Sequence, residues 1–152
     1  MTRTPRGIRL NNPGNIRKSS IKWDGLCKDQ SGDDEFAQFQ TPVWGIRAMC
    51  KVLLTYQKKH GLKTIRAMIS RWAPPFENDT ESYIDHVASK VGVGPDDEIT
   101  LGNETPEQEL QFAALVETIM VHENGHPPYF DQDTKDQPFG TSDILAGIGK
   151  AV

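Results

Sequence analysis

The chain has 152 residues, of which 36 % are hydrophobic and 25 % are charged, and these values suit one globular domain rather than two. No stretch approaches the roughly 20 consecutive apolar residues of a membrane span, and the N-terminal segment lacks the apolar core of a signal peptide. We therefore expect a protein without a membrane span. Two cysteines, Cys27 and Cys50, are too few for a disulfide scaffold.

The net charge of −4 conceals an uneven distribution of charge along the chain. Residues 1–71 contain 14 Lys and Arg against 5 Asp and Glu, whereas residues 72–152 contain 3 against 16. A basic half of this kind favours an anionic partner, such as a nucleic acid, a lipid surface or an anionic wall polymer. The acidic second half argues against nucleic acid, and none is expected as a partner.

The predicted secondary structure differs between residues 1–40 and residues 41–152. Residues 1–40 combine turn-forming residues with short apolar pieces, and they are predicted to form loops and a small β-hairpin, with no helix ahead of Asn11. Residues 41–152 are predicted to be helical. Thr41, followed by proline, begins the first predicted helix, and Gly61 ends it.

Four further helices are predicted after the first. Thr64 caps a short helix that a proline pair ends. The next helix covers about residues 80–91 and is closed by Gly92. Thr105 and a following proline begin the fourth helix, and a last one is predicted over Ser142–Ala151. The sequence thus predicts a single α+β domain that is predominantly α, with about five helices and a small β-hairpin.

The fourth predicted helix carries a carboxylate on its apolar face. Its apolar stripe, at spacings of three and four, continues onto Glu123 and consists of Phe112, Leu115, Val116, Ile119 and Met120. Because Asn124-Gly125 predicts a left-handed cap, Glu123 lies in the last turn, where apolar neighbours and the helix dipole disfavour an anion. A carboxyl group that keeps its proton is what a glycosidase uses as its general acid. The alternative is that Glu123 points outward to solvent or pairs with an arginine.

The same residues also fit HExxH, the zinc-peptidase motif in which two histidines bind the metal and the glutamate is the base. The ligands would be His122 and His126. The motif needs both histidines on one face of a continuous helix, but Gly125 and Pro127 predict that the helix ends first. A zinc metallopeptidase is therefore the less favoured hypothesis, and neither a metal nor another cofactor is expected.

Four segments occur in a recognisable order, namely Arg6–Arg17 (RGIRLNNPGNIR), Trp23–Leu26, Phe36–Phe39 and Thr41–Ala48. They resemble elements of peptidoglycan-cleaving glycosidases of the lysozyme-like superfamily, with flagellar-type glucosaminidases as the closest pattern. In those enzymes the catalytic glutamate closes a helix ahead of the Asn-Asn element. Here the matching Glu-Asn-Gly ends the fourth helix, so the resemblance implies a circularly permuted lysozyme-like domain with Glu123 as catalytic acid.

The resemblance extends to Arg71–Ile84 and His122–Gly125, which are similar to a family of small phage and prophage virion-associated proteins. It implies a peptidoglycan glycosidase of muramidase, lytic transglycosylase or glucosaminidase type, acting as a monomer on bacterial peptidoglycan. The expected route is synthesis in the cytoplasm without a signal peptide, then delivery to the periplasm or cell wall by a virion, a holin or an injection system. The alternative is a non-catalytic virion-structural or wall-binding module of the same fold.

Two asparagines and a second glutamate are candidates for substrate binding. Asn12 and Asn15 either present amides to sugar hydroxyls and N-acetyl groups or stabilise a left-handed turn around Pro13-Gly14. Glu77 is a candidate second carboxylate. Its separation from Glu123 would distinguish a retaining from an inverting glycosidase.

The segment around Phe39 supplies the remaining candidates. Gln38 and Gln40 flank this phenylalanine on an alternating segment, so they share a face that either lines a glycan groove or is simply wetted. Trp23 and Trp44 either stack on sugar rings or belong to the core. The predicted substrate-binding set thus combines amides with aromatic rings.

Overall fold

The computed structural model describes residues 4–74, 79–125 and 139–152, and in these ranges the protein is predominantly helical, as predicted. The helices are α1 (Arg6–Arg9), α2 (Pro42–His60), α3 (Ile65–Trp72), α4 (Thr80–Val91), α5 (Pro106–Asn124) and α6 (Thr141–Ala151). Helices α2 to α6 correspond to the five predicted helices. The single turn of α1 corrects the expectation of no helix ahead of Asn11, because four residues are too few to show a helical period.

Local capping residues account for the ends of the helices. The side chains of Thr64, Asp79 and Thr105 each accept a hydrogen bond from the backbone N–H three residues later, at 3.1, 3.3 and 3.1 Å. Gly61 and Gly92 end α2 and α4 in the left-handed conformation, with φ of 64° and 85°. Glycine adopts this conformation without steric cost, so these ends are set by residues next to each helix.

The core lies between the helices, and the predicted apolar stripes are buried in it. Helix α2 packs mainly against α6, and α4 packs against α5. Gly147 permits the close approach of α6, because a Cβ at this position would lie 2.5 Å from the Cγ2 atom of Ile46. Cys27 and Cys50 are free thiols, and burial raises the pKa of Cys50. No helix in the described ranges is both long and apolar enough to cross a membrane.

The predicted β-hairpin is present only as isolated antiparallel bridges in the described part of the chain. Arg17 pairs with Phe36, and Leu26 pairs with Phe39. The segment Phe36–Phe39 bonds to several different partners: the N–H of residue 37 donates to the carbonyl of residue 16, and the carbonyl of residue 38 accepts from the N–H of residue 27, both at 3.0 Å. A segment shared among partners cannot form one regular two-stranded ladder.

Candidate active site

A pocket of about 440 Å³ lies beside the C-terminal end of α5. It is enclosed by α1, the loop that follows it, the middle of α2 and the ends of α3 and α5. Its lining consists of Arg6, Gly14, Asn15, Ile16, Arg17, Phe36, Val52, Tyr56, Trp72, Ala73 and Glu123. Of these lining residues, Glu123 is the one that carries a carboxyl group, so the predicted general acid faces a pocket.

Two hydrogen-bond donors hold the carboxyl group of the partly buried Glu123. Asn15 Nδ2 donates to Oε2 at 3.1 Å, and Trp72 Nε1 donates to Oε1 at 3.3 Å. Among the described residues no ion pair involves Glu123, and its carboxyl group contacts an amide and an indole rather than an arginine. These contacts use one acceptor site on each oxygen, and in the protonated form the carboxyl O–H is available as a donor to the pocket.

The indole that contacts Glu123 is itself held in place from α2. Tyr56 meets Trp72 edge-on, with ring centroids 6.5 Å apart and planes at 73°. Burial raises the pKa of Tyr56, and the charge of Arg71, whose guanidinium lies 5.3 Å from the Tyr56 ring centroid, opposes that shift. Trp72 continues the apolar stripe of Ile65, Met68 and Ile69 on α3, but it was not among the predicted site residues. Its role at the carboxyl group was missed, although both Trp72 and Glu123 end an apolar stripe.

A clamp of amide groups holds the Asn-Pro-Gly-Asn loop against the end of α5. Asn124 Nδ2 donates to the carbonyls of Pro13 and Met120 at 2.8 and 3.0 Å. The Oδ1 atoms of Asn124 and Asn15 are buried against Gly7, where an added Cβ would collide with both, and neither accepts a hydrogen bond from the described residues. A glycine in α1 therefore allows the loop that carries Asn15 to approach the glutamate helix.

The structure separates the roles of the two predicted asparagines. Asn12 is fully buried, and its amide donates to the carbonyls of Ile16 and Ala37 at 2.9 and 2.8 Å and accepts from the N–H of Ile16 at 2.9 Å. Its substrate-binding role is therefore corrected to the turn-stabilising one, because its polar groups are used inside the protein. Asn15 faces the pocket, and its φ of 50°, like the 54° of Asn11, also shows the left-handed turn.

Gln38, Gln40 and Trp23, which were also predicted to bind substrate, do not line the Glu123 pocket. The main chain of Gln38 bonds to a neighbouring glutamine side chain, and the amide of Gln40 donates to a loop carbonyl at 3.1 Å. Trp23 and Trp44 pack in a small apolar cluster, and Trp23 lines a separate cleft of about 150 Å³. The positions of Gln38, Gln40 and Trp23 therefore correct the prediction that they bind substrate in this pocket. The residue of the Phe36–Phe39 segment that lines it is Phe36. Glu77 lies outside the described residues.

The histidine of the zinc motif that the structure describes contacts other aromatic groups. His122 Nε2 lies 2.7 Å from His86 Nδ1, and the His122 ring stacks on Tyr83 with centroids 3.9 Å apart. Helix α5 ends at Asn124. Gly125 follows with φ of 86° and ψ of −179°, which is an extended conformation with a positive φ, so the predicted left-handed cap is corrected. This region is open essentially to glycine alone. His126 lies outside the described residues, and the helical spacing that HExxH requires stops at Gly125.

A basic edge of the pocket was also missed as a part of the site. The guanidinium carbons of Arg6 and Arg17 lie 3.6 and 4.9 Å from the ring centroid of Phe36, and all three residues line the pocket. In the sequence these arginines belong to the basic half and to the Arg6–Arg17 segment of the resemblance, and neither was predicted to be a site residue. The signal that could have found them is their position on both sides of the Asn-Pro-Gly-Asn loop.

Comparison with known proteins identifies a relative among phage proteins. No protein-family model matches the chain. The chain is similar to Protein P5 of Pseudoalteromonas phage PM2, with 40 % identity over 139 residues. This similarity covers 89 % of the present chain and 81 % of the phage protein, which is most of both. The chain therefore belongs to the same family as Protein P5 of Pseudoalteromonas phage PM2.

Proposed function

We propose that this protein is a peptidoglycan-degrading glycosidase, of muramidase or lytic transglycosylase type, in which Glu123 is the general acid. The observation that carries the proposal is the carboxyl group of Glu123, held by an amide and an indole donor beside a pocket of about 440 Å³. A positioned carboxyl group next to open space for a sugar is the arrangement that glycosidic bond cleavage requires.

The proposed chemistry begins with a proton transfer. Glu123 in its acid form donates its proton to the glycosidic oxygen while the bond from that oxygen to the anomeric carbon breaks. The carboxylate that remains still accepts hydrogen bonds from Asn15 and Trp72, which stabilise its new charge. Water then adds to the anomeric carbon to complete hydrolysis, or the sugar's own 6-hydroxyl adds to give an anhydro product, and in either case the proton of the attacking hydroxyl returns to the Glu123 carboxylate.

The walls of the pocket support a glycan as the substrate. Tyr56 and Trp72 supply aromatic surface, and Asn15 supplies an amide. Sugar rings present apolar C–H faces to aromatic side chains and hydroxyl groups to polar ones, so this mixed lining suits them. Substrate contacts therefore come both from the loops of residues 4–40 and from the helices of residues 42–151.

Two observations agree with a permuted lysozyme-like enzyme associated with phage. Asn15 and Glu123 are in contact although 108 residues separate them, and a circular permutation would bring an Asn-rich loop and a glutamate helix together in this way. The relative is a phage protein, which fits delivery by a virion or an injection system to the periplasm or cell wall. We propose that the protein acts there as a monomer on bacterial peptidoglycan.

Clearing of permeabilised Gram-negative cells tests the role of Glu123. The wild-type protein should reduce turbidity, and Glu123→Gln should lose activity by about a hundredfold or more, because the amide cannot supply the proton. Glu117→Gln is the matched control, since Glu117 is an exposed carboxylate on the same helix, and it should keep full activity. Equal clearing by the wild type and Glu123→Gln would remove Glu123 from the mechanism.

Mass spectrometry of digested sacculi identifies the reaction. Anhydro-muropeptides indicate a lytic transglycosylase, reducing muramic acid ends a muramidase, and reducing glucosamine ends a glucosaminidase. Binding to sacculi without released fragments would instead support a non-catalytic virion-structural or wall-binding module. Membership in a phage protein family also fits that second candidate, so product analysis separates the two.

A further inference from the structure

Two arginines stack on a single phenylalanine ring at the edge of the Glu123 pocket. The guanidinium carbon of Arg6 lies 3.6 Å from the centroid of Phe36, and that of Arg17 lies 4.9 Å away. Phe36 is 6 % exposed, so its ring is a fixed support. A cation–π contact attracts each guanidinium to the ring face and does not use its N–H groups, which a ligand can therefore bind.

No buried ion pair among the described residues neutralises this arginine pair. Arg6 is part of none of the ion pairs found there. Arg17 contacts Glu35 at 3.1 Å, but both side chains are 67 % exposed, and an exposed pair of this kind is weak enough for a ligand to replace. Asp33 accepts hydrogen bonds from two backbone N–H groups, at 2.8 and 2.9 Å, and these bonds together with the charge of Arg6 lower its pKa.

The pocket thus combines a carboxyl group and a cationic edge within one cavity. Arg6 and Arg17 line the same space as Glu123, so a ligand that occupies the pocket meets all three. Guanidinium groups bind carboxylates through paired N–H donors, and these charge-assisted hydrogen bonds are stronger than neutral ones. A neutral sugar polymer would leave this edge unused, whereas a glycan with an attached carboxylate would fill it.

We propose that Arg6 and Arg17 bind a carboxylate of the glycan substrate, so that the protein selects muramic-acid-containing strands over neutral chitin-like polymers. This inference rests on the proposed function, because it assumes that a glycan occupies the Glu123 pocket. The carboxylate has two sources in the wall polymer. It belongs either to the lactyl group of unsubstituted muramic acid or to the peptide attached to that group.

Calorimetric titration of the Glu123→Gln variant measures this selectivity without turnover. The ligands are three glycan fragments of equal length: peptide-bearing wall fragments, the same fragments with the peptide removed, and a neutral chitin oligomer. Each carboxylate fragment that reaches the arginines should bind about tenfold more tightly than the neutral oligomer. The difference between the first two fragments identifies which carboxylate is bound, and high ionic strength should reduce the advantage.

Arginine substitutions on this background assign the selectivity to the pair. Arg6→Gln should remove most of the advantage of the anionic fragments and leave affinity for the neutral oligomer unchanged. Arg9→Gln is the matched control, because this exposed arginine of α1 donates to the Gly32 carbonyl at 3.3 Å and does not line the pocket. It should keep the full preference.

Three results would overturn the inference. These are equal affinity for anionic and neutral fragments, no binding of any fragment, and an equal loss by Arg6→Gln on all of them, which would indicate a structural role instead. The two proposals fail separately. If Glu123→Gln still clears cells while the Arg6-dependent preference persists, the catalytic proposal fails and the carboxylate site stands. If Glu123→Gln abolishes clearing but no preference for anionic fragments is found, the carboxylate site fails and the catalytic proposal stands.

Discussion

The loop region, residues 4–40, and the helical region, residues 42–151, are held together by different interactions. In the loop region, side-chain amides bond to backbone groups, and the buried amide of Asn12 makes three such bonds. In the helical region, apolar side chains from five helices fill one continuous core. The candidate site lies where the two meet, because the loops supply Asn15 and the helices supply Trp72 and Glu123.

The two regions should therefore respond differently to substitution. Hydrogen bonds are directional, and a buried amide network fails when one partner is removed. Apolar cores tolerate exchanges that conserve volume and are most sensitive to cavities. A site built at the junction depends on both, since Glu123 takes one donor from each region.

Removal of the buried amide in the loop region should have the largest effect on stability. Asn12→Ala should lower the free energy of unfolding by about 3 kcal/mol, because it leaves the buried carbonyl of Ala37 without a donor and the N–H of Ile16 without an acceptor. Urea denaturation measures the change. Gln40→Ala is the control and should change stability by about 0.5 kcal/mol or less, since its amide is exposed. An unchanged midpoint for Asn12→Ala would show that the amide network does not stabilise the loops.

Removal of the indole donor should have a smaller effect, and on activity rather than on stability. Trp72→Phe keeps an aromatic ring but loses the hydrogen bond to Glu123, so kcat should fall by about tenfold with little change in KM. Steady-state assays on soluble wall fragments measure both constants. Trp44→Phe serves as the control, because Trp44 packs in the separate apolar cluster. A rise in KM alone would assign Trp72 to substrate binding instead.

The smallest effect concerns a polar group buried in the helical region. The Tyr83 hydroxyl is buried and bonds to none of the described residues, in contrast to the amide of Asn12. Burial raises the pKa of Tyr83, and the negative charge of Glu123 raises it further. Tyr83→Phe should therefore be neutral or stabilising by about 1 kcal/mol near neutral pH.

Alkaline pH provides a second measurement on the same variant. An unfolded tyrosine ionises around its ordinary pKa of 10.0, whereas folded Tyr83 keeps its proton to higher pH. Above pH 10 the folded state thus binds more protons, and its stability falls as the pH rises, by about 1.4 kcal/mol per pH unit for this residue. Tyr83→Phe should show a shallower decline in denaturation experiments. Parallel curves for the two proteins would contradict the burial of this hydroxyl.

Most of the helical architecture was predictable, because its signals are local. The threonine caps of α3 and α5 and the glycine ends of α2 and α4 act through residues within one helical turn. The apolar stripe that ends at Glu123 predicted an inward-facing carboxylate, and the structure places this residue at the pocket. The one-turn α1 and the isolated bridges differ from the predictions, since neither leaves a periodic pattern in the sequence.

The sequence alone determined the helix ends, the buried faces and the exceptional position of Glu123, because each depends on residues close together in the chain. Only the tertiary structure showed which side chains surround that glutamate. Asn15 is separated from it by 108 residues and Trp72 by 51, and Gly7 makes room for the amides that clamp the loop to α5. Such contacts depend on how closely two segments approach, and that distance is set by packing across the whole domain rather than by any local pattern.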